Sequence, residues 1–286
     1  MTLEDELGRL ERRALGGSHV AGFLRAVELI RRIAETDEAR ARALIRSLSS
    51  PNVEAALREV AAAAYSRGLI STSAMLDVTA PSSKLPRAFD RAAKKSAKTI
   101  AAQVAAAAVL LKAGADIADL LAPLLGAAAS IRRSIRTTTV QAGNLGVVVV
   151  TRREKVPMVW VAETDACVHC LAYSGVVVQP GERFPAGLTY AAKSPHTSAL
   201  VAPPLHPNCR CFLEPLRDQS YADALRREAD RSVLRGFSLD TESMRVRIDA
   251  ADRLLKSNPD APKSVIAYAQ RMVKAGRFAT RGRPVR

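Results

Sequence analysis

All four cysteines of this chain lie in one short part of it, together with a histidine. The motif "DACVHC" contains Cys167 and Cys170, and the motif "PPLHPNCRC" contains His206, Cys209 and Cys211. Two thiolates separated by two residues in a tight turn can bind one ion at about 2.3 Å, and later ligands complete a tetrahedron. Zinc is the metal that thiolate and imidazole ligands suit best. The spacing therefore predicts one zinc ion in this region.

Five candidate donors compete for the four positions of a tetrahedral site. Cys167, Cys170 and Cys209 are assigned first, and either His206 or Cys211 takes the fourth position. Residues two apart on a strand share a face, so Cys209 and Cys211 can both point at the ion, which leaves His206 to hydrogen-bond a thiolate. With protein ligands in every position, the zinc is expected to be structural. Disulfides, unrelated structural thiols and a catalytic zinc are the alternatives.

The other histidines and the cellular compartment fit this interpretation. His169 is not expected to bind the metal, and His196 and His19 are expected to be surface residues. The chain is charged from its fourth residue, and its longest apolar runs are shorter than the roughly 18 residues that span a bilayer. We therefore expect that the protein does not associate with a membrane and that it is made in the cytoplasm. Thiols stay reduced there, and clustered cysteines favour a metal over disulfides.

The first half of the chain, which precedes the ligand segments, is predicted to be helical. Residues 3–48 have a helical pattern in which Phe23, Val27 and Ile30 share one face. Much of the apolar content is alanine, which indicates thin, closely packed helices. After a Ser-Pro break, a second helix is predicted with Asn52 as its N-cap.

The pattern changes at the middle of the chain. A helical region is predicted over residues 86–139, bent near Gly114 and Pro123. The segment "GVVVVTRREKVPMVWVAETDAC", residues 146–167, is rich in β-branched residues and predicts strands. Residues 160–212 hold five of the twelve aromatic residues, which indicates a separate small core. Beyond it the helical pattern returns.

These observations predict an α+β fold in three parts. Residues 1–140 form a helical domain, residues 141–216 a small zinc-stapled domain that contains the strands, and residues 217–286 a basic helical C-terminal extension. The division follows from the change in residue pattern at each boundary.

The chain is strongly basic, with a formal net charge of +15. Such a protein is expected to bind polyanions, of which nucleic acid is the commonest. The alternative is a basic surface that serves solubility alone. Because the aromatic residues lie away from the basic stretches, no stacking platform for single strands is predicted. The candidate DNA-binding residues are Lys84, Arg87, Arg91, Lys94, Lys95 and Lys98, and in the tail Arg277, Arg281, Arg283 and Arg286.

The segment over residues 139–216 resembles the phage Mu protein F-like minor head proteins, also called the phage head morphogenesis family. The two motifs that carry the resemblance are "WVAETDACVHCLAYSGVVVQPGERFP" and "PPLHPNCRC". The matching positions are Trp160, Asp165, Cys167, Cys170, Gly175, Val177, Phe184, Pro203, Pro204, Leu205, His206, Pro207, Cys209, Arg210 and Cys211. Two features depart from the family pattern: the stretch "TTTVQAGN" lacks a Thr-Glu pair, and about 70 residues follow the second motif.

The resemblance implies a non-enzymatic virion component, present in few copies inside the capsid near the portal vertex. Its implied partners are the portal protein, other head proteins and non-specific genomic DNA. Alanine-rich helices allow close approach, so we expect residues 3–139 to contact the portal and the zinc-stapled part to act as a scaffold. The alternative is that these helices pack only on one another.

Two other functions compete with this one. A zinc-stapled HNH-like nuclease would use His206 and Asn208 in catalysis. It needs a general-base histidine beside separate metal ligands, and no second CxxC completes such a staple. A zinc-containing DNA-binding regulator would need a recognition helix, and the sequence contains no clear one. Asn208 is more simply a turn residue.

Overall fold

The computed structural model describes residues 3–163, 166–190, 198–235 and Gln270, which form a mostly helical protein with one small sheet. The predicted α+β class is therefore confirmed. None of the described helices is long and apolar enough to cross a membrane. The elements are α1 (Leu3–Gly16), α2 (Ala21–Ile33), α3 (Glu38–Ser47), α4 (Val53–Met75), α5 (Ala88–Lys112), α6 (Ile117–Glu154), β1 (Met158–Val161), α7 (Val168–Leu171), β2 (Val177–Val178), β3 (Phe212–Pro215) and α8 (Gln219–Arg235).

The described residues divide into two compact units. Unit 1 comprises residues 3–68 and 81–143, and unit 2 comprises residues 69–80 and the described residues from 144 onward. The division into three domains stays a prediction, because beyond α8 the structure describes only Gln270.

Unit 1 is a helical assembly whose core follows the predicted apolar face of α2. Phe23, Val27 and Ile30 are buried in one cluster with Leu124 and Ile131 of α6. Seven alanines of the same cluster are also buried, which allows the close helix packing that the composition indicates.

The start of α4 has the predicted cap. Asn52 directly precedes α4, and its Oδ1 accepts a hydrogen bond from the Ala55 N–H at 3.2 Å. This bond satisfies one of the free N–H groups of the first helical turn. The prediction that Asn52 is the N-cap is confirmed.

The helical region predicted over residues 86–139 is broken at Gly114, so the prediction of a bend there is wrong. Gly114 has a φ of +72°, a left-handed conformation that glycine adopts without a Cβ penalty. The Ala115 N–H donates to the Leu110 carbonyl at 3.1 Å, which closes α5. Pro123 lies inside α6.

The strand prediction over residues 146–167 is wrong in its first part. Residues 147–150 continue α6, and β1 begins only at Met158. Val147, Val148 and Val150 are buried. A valine costs a helix at most about 0.7 kcal/mol relative to alanine, whereas burying its side chain contributes about 1.5 kcal/mol or more. Tertiary packing therefore outweighs the β propensity of this segment.

Unit 2 contains a three-stranded antiparallel sheet in the order β2-β1-β3. All four residues of the central strand β1 are buried, and Trp160 of β1 lies opposite Leu213 of β3. The Trp160 ring centroid is 4.9 Å from that of Tyr173 and 5.1 Å from that of Phe184. These three rings are fully buried. They form the separate small core that the aromatic residues predict.

Helix α8 packs tightly within unit 2. Gly175 has a φ of +74°, and a Cβ there would collide with the main chain of α8 at Ala222 and Arg226. Near the other end of α8, the Tyr190 hydroxyl donates to Asp230 Oδ1 at 2.6 Å. The first part of the predicted C-terminal extension is therefore built into unit 2.

Candidate metal centre

The five predicted ligands lie on α7 and on the segment that leads into β3. Cys167 is the N-cap residue of α7, and Cys170 lies inside this helix. His206 and Cys209 are joined in a turn, in which the Cys209 N–H donates to the His206 carbonyl at 3.0 Å. Cys211 directly precedes β3. One set of donors thus comes from α7 and the other from the segment before β3, which are distant in the sequence.

The five side chains form two triads that share Cys170. One consists of Cys167, Cys170 and His206, the other of Cys170, Cys209 and Cys211, and within each the ligand atoms lie within 4.8 Å of one another. His206 Nε2 is 3.1 Å from the Sγ atoms of both Cys167 and Cys170. The Sγ atoms of Cys170 and Cys209 are 3.6 Å apart. Cys170 is therefore the centre of the cluster.

This geometry can accommodate a metal ion. Two thiolates on a tetrahedral zinc ion, each about 2.3 Å from it, lie roughly 3.8 Å apart. The distance of 3.6 Å between the Cys170 and Cys209 Sγ atoms is close to that value. All four cysteines are free, and all but Cys167 are buried. The cluster of four thiols and one imidazole could therefore bind a metal ion.

Contacts within the cluster shift the pKa values of the thiols in opposite directions. The side-chain contact with Cys170 lowers the pKa of Cys167 to about 4, and the contact with Cys170 also lowers the pKa of Cys209 to about 3. The same contacts raise the pKa of Cys170, and burial raises the pKa of Cys211. The hydrogen bond with Cys167 raises the pKa of His206. A bound metal ion would take over the role of the shared protons and release them.

The remaining histidines have other environments. His169 belongs to neither triad, and its Nδ1 is 2.7 Å from Thr189 Oγ1. His19 lies partly exposed at the surface, as expected, with its Nε2 3.1 Å from Oε1 of the exposed Glu59. His196 lies outside the described residues.

The structure describes six of the ten candidate DNA-binding residues. All six are exposed. Arg87, Arg91, Lys94 and Lys98 follow one another at helical spacing along the start of α5, so they share one face. The two others are Lys84, in the preceding loop, and Lys95. The tail residues Arg277, Arg281, Arg283 and Arg286 lie outside the described residues.

Asn144, which the sequence did not single out, and Trp160, which it singled out only as a matching position of the resemblance, lie against the ligand segments. Asn144 of α6 is fully buried, and its side chain hydrogen-bonds the main chain at Cys211 and Leu213. Trp160 of β1 pairs with Leu213 of β3, two residues after Cys211. Trp160 Nε1 is buried and makes no hydrogen bond to any described residue. The sequence contained a sign that Asn144 is buried with hydrogen-bond partners, because it is an amide next to an apolar, valine-rich stretch.

The motifs that carry the family resemblance are the ones that supply the five donors. Of the matching positions, Asp165 lies outside the described residues. Asn208 is exposed and lies in a turn, as the sequence predicts. In comparisons of the chain with known proteins, no family model matches, and no curated protein or solved structure matches significantly.

Proposed function

We propose that this protein is a non-enzymatic minor head protein of a tailed phage, with a structural zinc site, located inside the capsid at the portal vertex. The observation that carries this proposal is the donor cluster. The two motifs that resemble the head morphogenesis family are separated by 35 residues between Cys170 and His206. Their side chains nevertheless meet at contact distance. This convergence supports the proposal, because the two motifs that carry the sequence resemblance form one donor cluster.

Zinc is the metal we assign to the cluster, because it suits thiolate and imidazole donors and needs no redox partner. Cys167, Cys170 and Cys209 hold it together with His206 or Cys211. The contacts of 3.1 Å from His206 Nε2 to two thiols favour His206. Four protein ligands leave no position for a water molecule, which is typical of a structural site.

The same arrangement supports the nuclease alternative less well. Its general base would be His206, and this imidazole contacts two thiols and is directed into the cluster. A nuclease of this kind needs separate ligands for a divalent ion. Among the described residues, both groups of possible metal ligands share Cys170, so a second independent site is not found there.

The exposed cations of α5 are proposed to contact the phosphates of packaged DNA. Binding should be weak and indifferent to sequence, and its affinity should fall steeply with salt, by about 0.9 in the log–log slope for each phosphate contact. Replacing Arg91, Lys94 and Lys98 with glutamine is expected to make this slope shallower by that amount for each phosphate that is no longer neutralised. Fluorescence anisotropy with duplex DNA at several salt concentrations measures it.

A matched control is available on α2. Arg31 and Arg32 are also exposed, but both form ion pairs with Glu28, at 2.8 and 3.0 Å. Replacing them with glutamine removes two cations and should leave the slope nearly unchanged. A slope that the α5 substitutions do not alter would refute phosphate contact by α5.

The location in the virion is tested on purified phage particles. Mass spectrometry is expected to detect this protein in few copies relative to the major head protein. Because the proposed position is inside the capsid, protease added to intact particles should leave the protein whole, and opening the capsid should expose it to cleavage. Absence from the particle, or cleavage in intact particles, contradicts the proposal.

A further inference from the structure

The strand that follows the ligand Cys211 lies at an edge of the sheet. Among the described strands, the order β2-β1-β3 gives β3 one neighbour, β1. Trp160 of β1 directs both its N–H and its C=O away from β3, to Val176 and Gly175, at 3.0 and 2.9 Å. Leu213, which lies opposite Trp160, therefore has its N–H turned away from β1.

Asn144 forms hydrogen bonds with main-chain groups at this edge. Its Oδ1 accepts a hydrogen bond from the Leu213 N–H at 2.6 Å, and its Nδ2 donates to the Cys211 carbonyl at 3.1 Å. The carbonyl of one residue and the N–H of the second residue after it point to the same side of a strand. The side-chain amide of Asn144 thus makes the two hydrogen bonds that the main chain of a further strand beside β3 would make.

We propose that Asn144 is a positioning residue for the metal site. Its two hydrogen bonds fix the main chain on both sides of Phe212, directly after the ligand segment that contains Cys209 and Cys211. The inference rests on the proposed zinc site and is independent of the proposed role in the virion.

The chemistry of the position requires an amide. Asn144 is fully buried, where a main-chain N–H or C=O without a hydrogen-bond partner is strongly unfavourable. Alanine would leave both main-chain groups without a partner. Aspartate would keep the acceptor for the Leu213 N–H and place a second oxygen against the Cys211 carbonyl, where a donor is needed.

The test uses the full chain with Asn144→Ala and Asn144→Asp. The control is Thr151→Val, which changes a buried residue of the same helix whose hydroxyl bonds only the Val147 and Val148 carbonyls of that helix. Zinc affinity is measured by competition with a chelator, and Co²⁺ absorption reports the ligand geometry. Loss of a hydrogen bond that orients ligands typically lowers metal affinity about 10- to 100-fold. We expect that loss and an altered Co²⁺ spectrum for both Asn144 variants, and wild-type behaviour for the control.

The outcomes separate the possible roles. If the Asn144 variants unfold more easily but keep wild-type zinc affinity and an unchanged Co²⁺ spectrum, Asn144 is a purely structural residue and the proposal is wrong. Circular dichroism establishes folding first, and Asn144→Asp, which has nearly the same shape as asparagine, decides if Asn144→Ala does not fold. A wild-type chain that binds no zinc overturns the zinc site itself, and this inference with it.

Discussion

Removing the metal, or replacing Cys170 with serine, is expected to unfold the small core around Trp160. Cys170 belongs to both donor triads, so its loss weakens every arrangement of four ligands. The apparent binding free energy of structural zinc sites is about 10–16 kcal/mol at pH 7, and it contributes directly to folding. Trp160 is the only tryptophan and is fully buried, so a red shift of its fluorescence reports the loss of this core.

The matched control for this experiment is His169→Asn. His169 is adjacent to Cys170 on α7 but belongs to neither triad. This variant should retain one zinc ion per chain in native mass spectrometry and an unshifted fluorescence spectrum. A chain that is free of metal and still keeps Trp160 buried would contradict a structural zinc.

Replacing Gly175 with alanine is expected to destabilise unit 2 strongly. A residue with a Cβ pays roughly 1–2 kcal/mol for the left-handed conformation, and forcing atoms into a packed contact typically costs about 1–3 kcal/mol more. The new methyl group would collide with the α8 main chain at Ala222 and Arg226. The expected loss in the free energy of unfolding is therefore roughly 2–5 kcal/mol. Denaturant unfolding measures it.

Gly181→Ala separates the two contributions to this loss. Gly181 also has a positive φ, +93°, but no described residue other than its two chain neighbours has an atom within 4 Å of the position its Cβ would occupy. Its substitution should therefore cost only the conformational part. Hydrogen exchange should show α8 opening in the Gly175 variant and not in the Gly181 variant. Equal losses for both substitutions would mean that the contact with α8 contributes nothing.

Several features of this protein depend on local chemistry and could be predicted from the sequence alone. The apolar residues Phe23, Val27 and Ile30 repeat at helical spacing, which is sufficient to indicate the buried face of α2. Asn52 follows a break and precedes a helical pattern, and it caps α4 as expected. The residue types of the donor set were also evident, because thiols and an imidazole at this spacing are typical ligands of a metal ion.

The tertiary structure decided what depends on neighbours distant in sequence. Residues 147–150 have high β propensity but are helical, because three of the four valines are buried as part of α6. Propensity differences of less than 1 kcal/mol cannot reveal this outcome without the packing partners. The role of Asn144 likewise depends on the edge of β3, which lies 67–69 residues away along the chain.

The arrangement of the candidate metal ligands depends both on local sequence and on long-range packing. The spacing of Cys167 and Cys170 is local, and it indicated a metal-binding pair before any fold was known. The two overlapping triads around Cys170 exist only because the fold brings the segment before β3 against α7, across the 35 residues between Cys170 and His206. Residue types therefore determined the chemistry available to this chain, whereas long-range packing decided which donors come within reach of one ion.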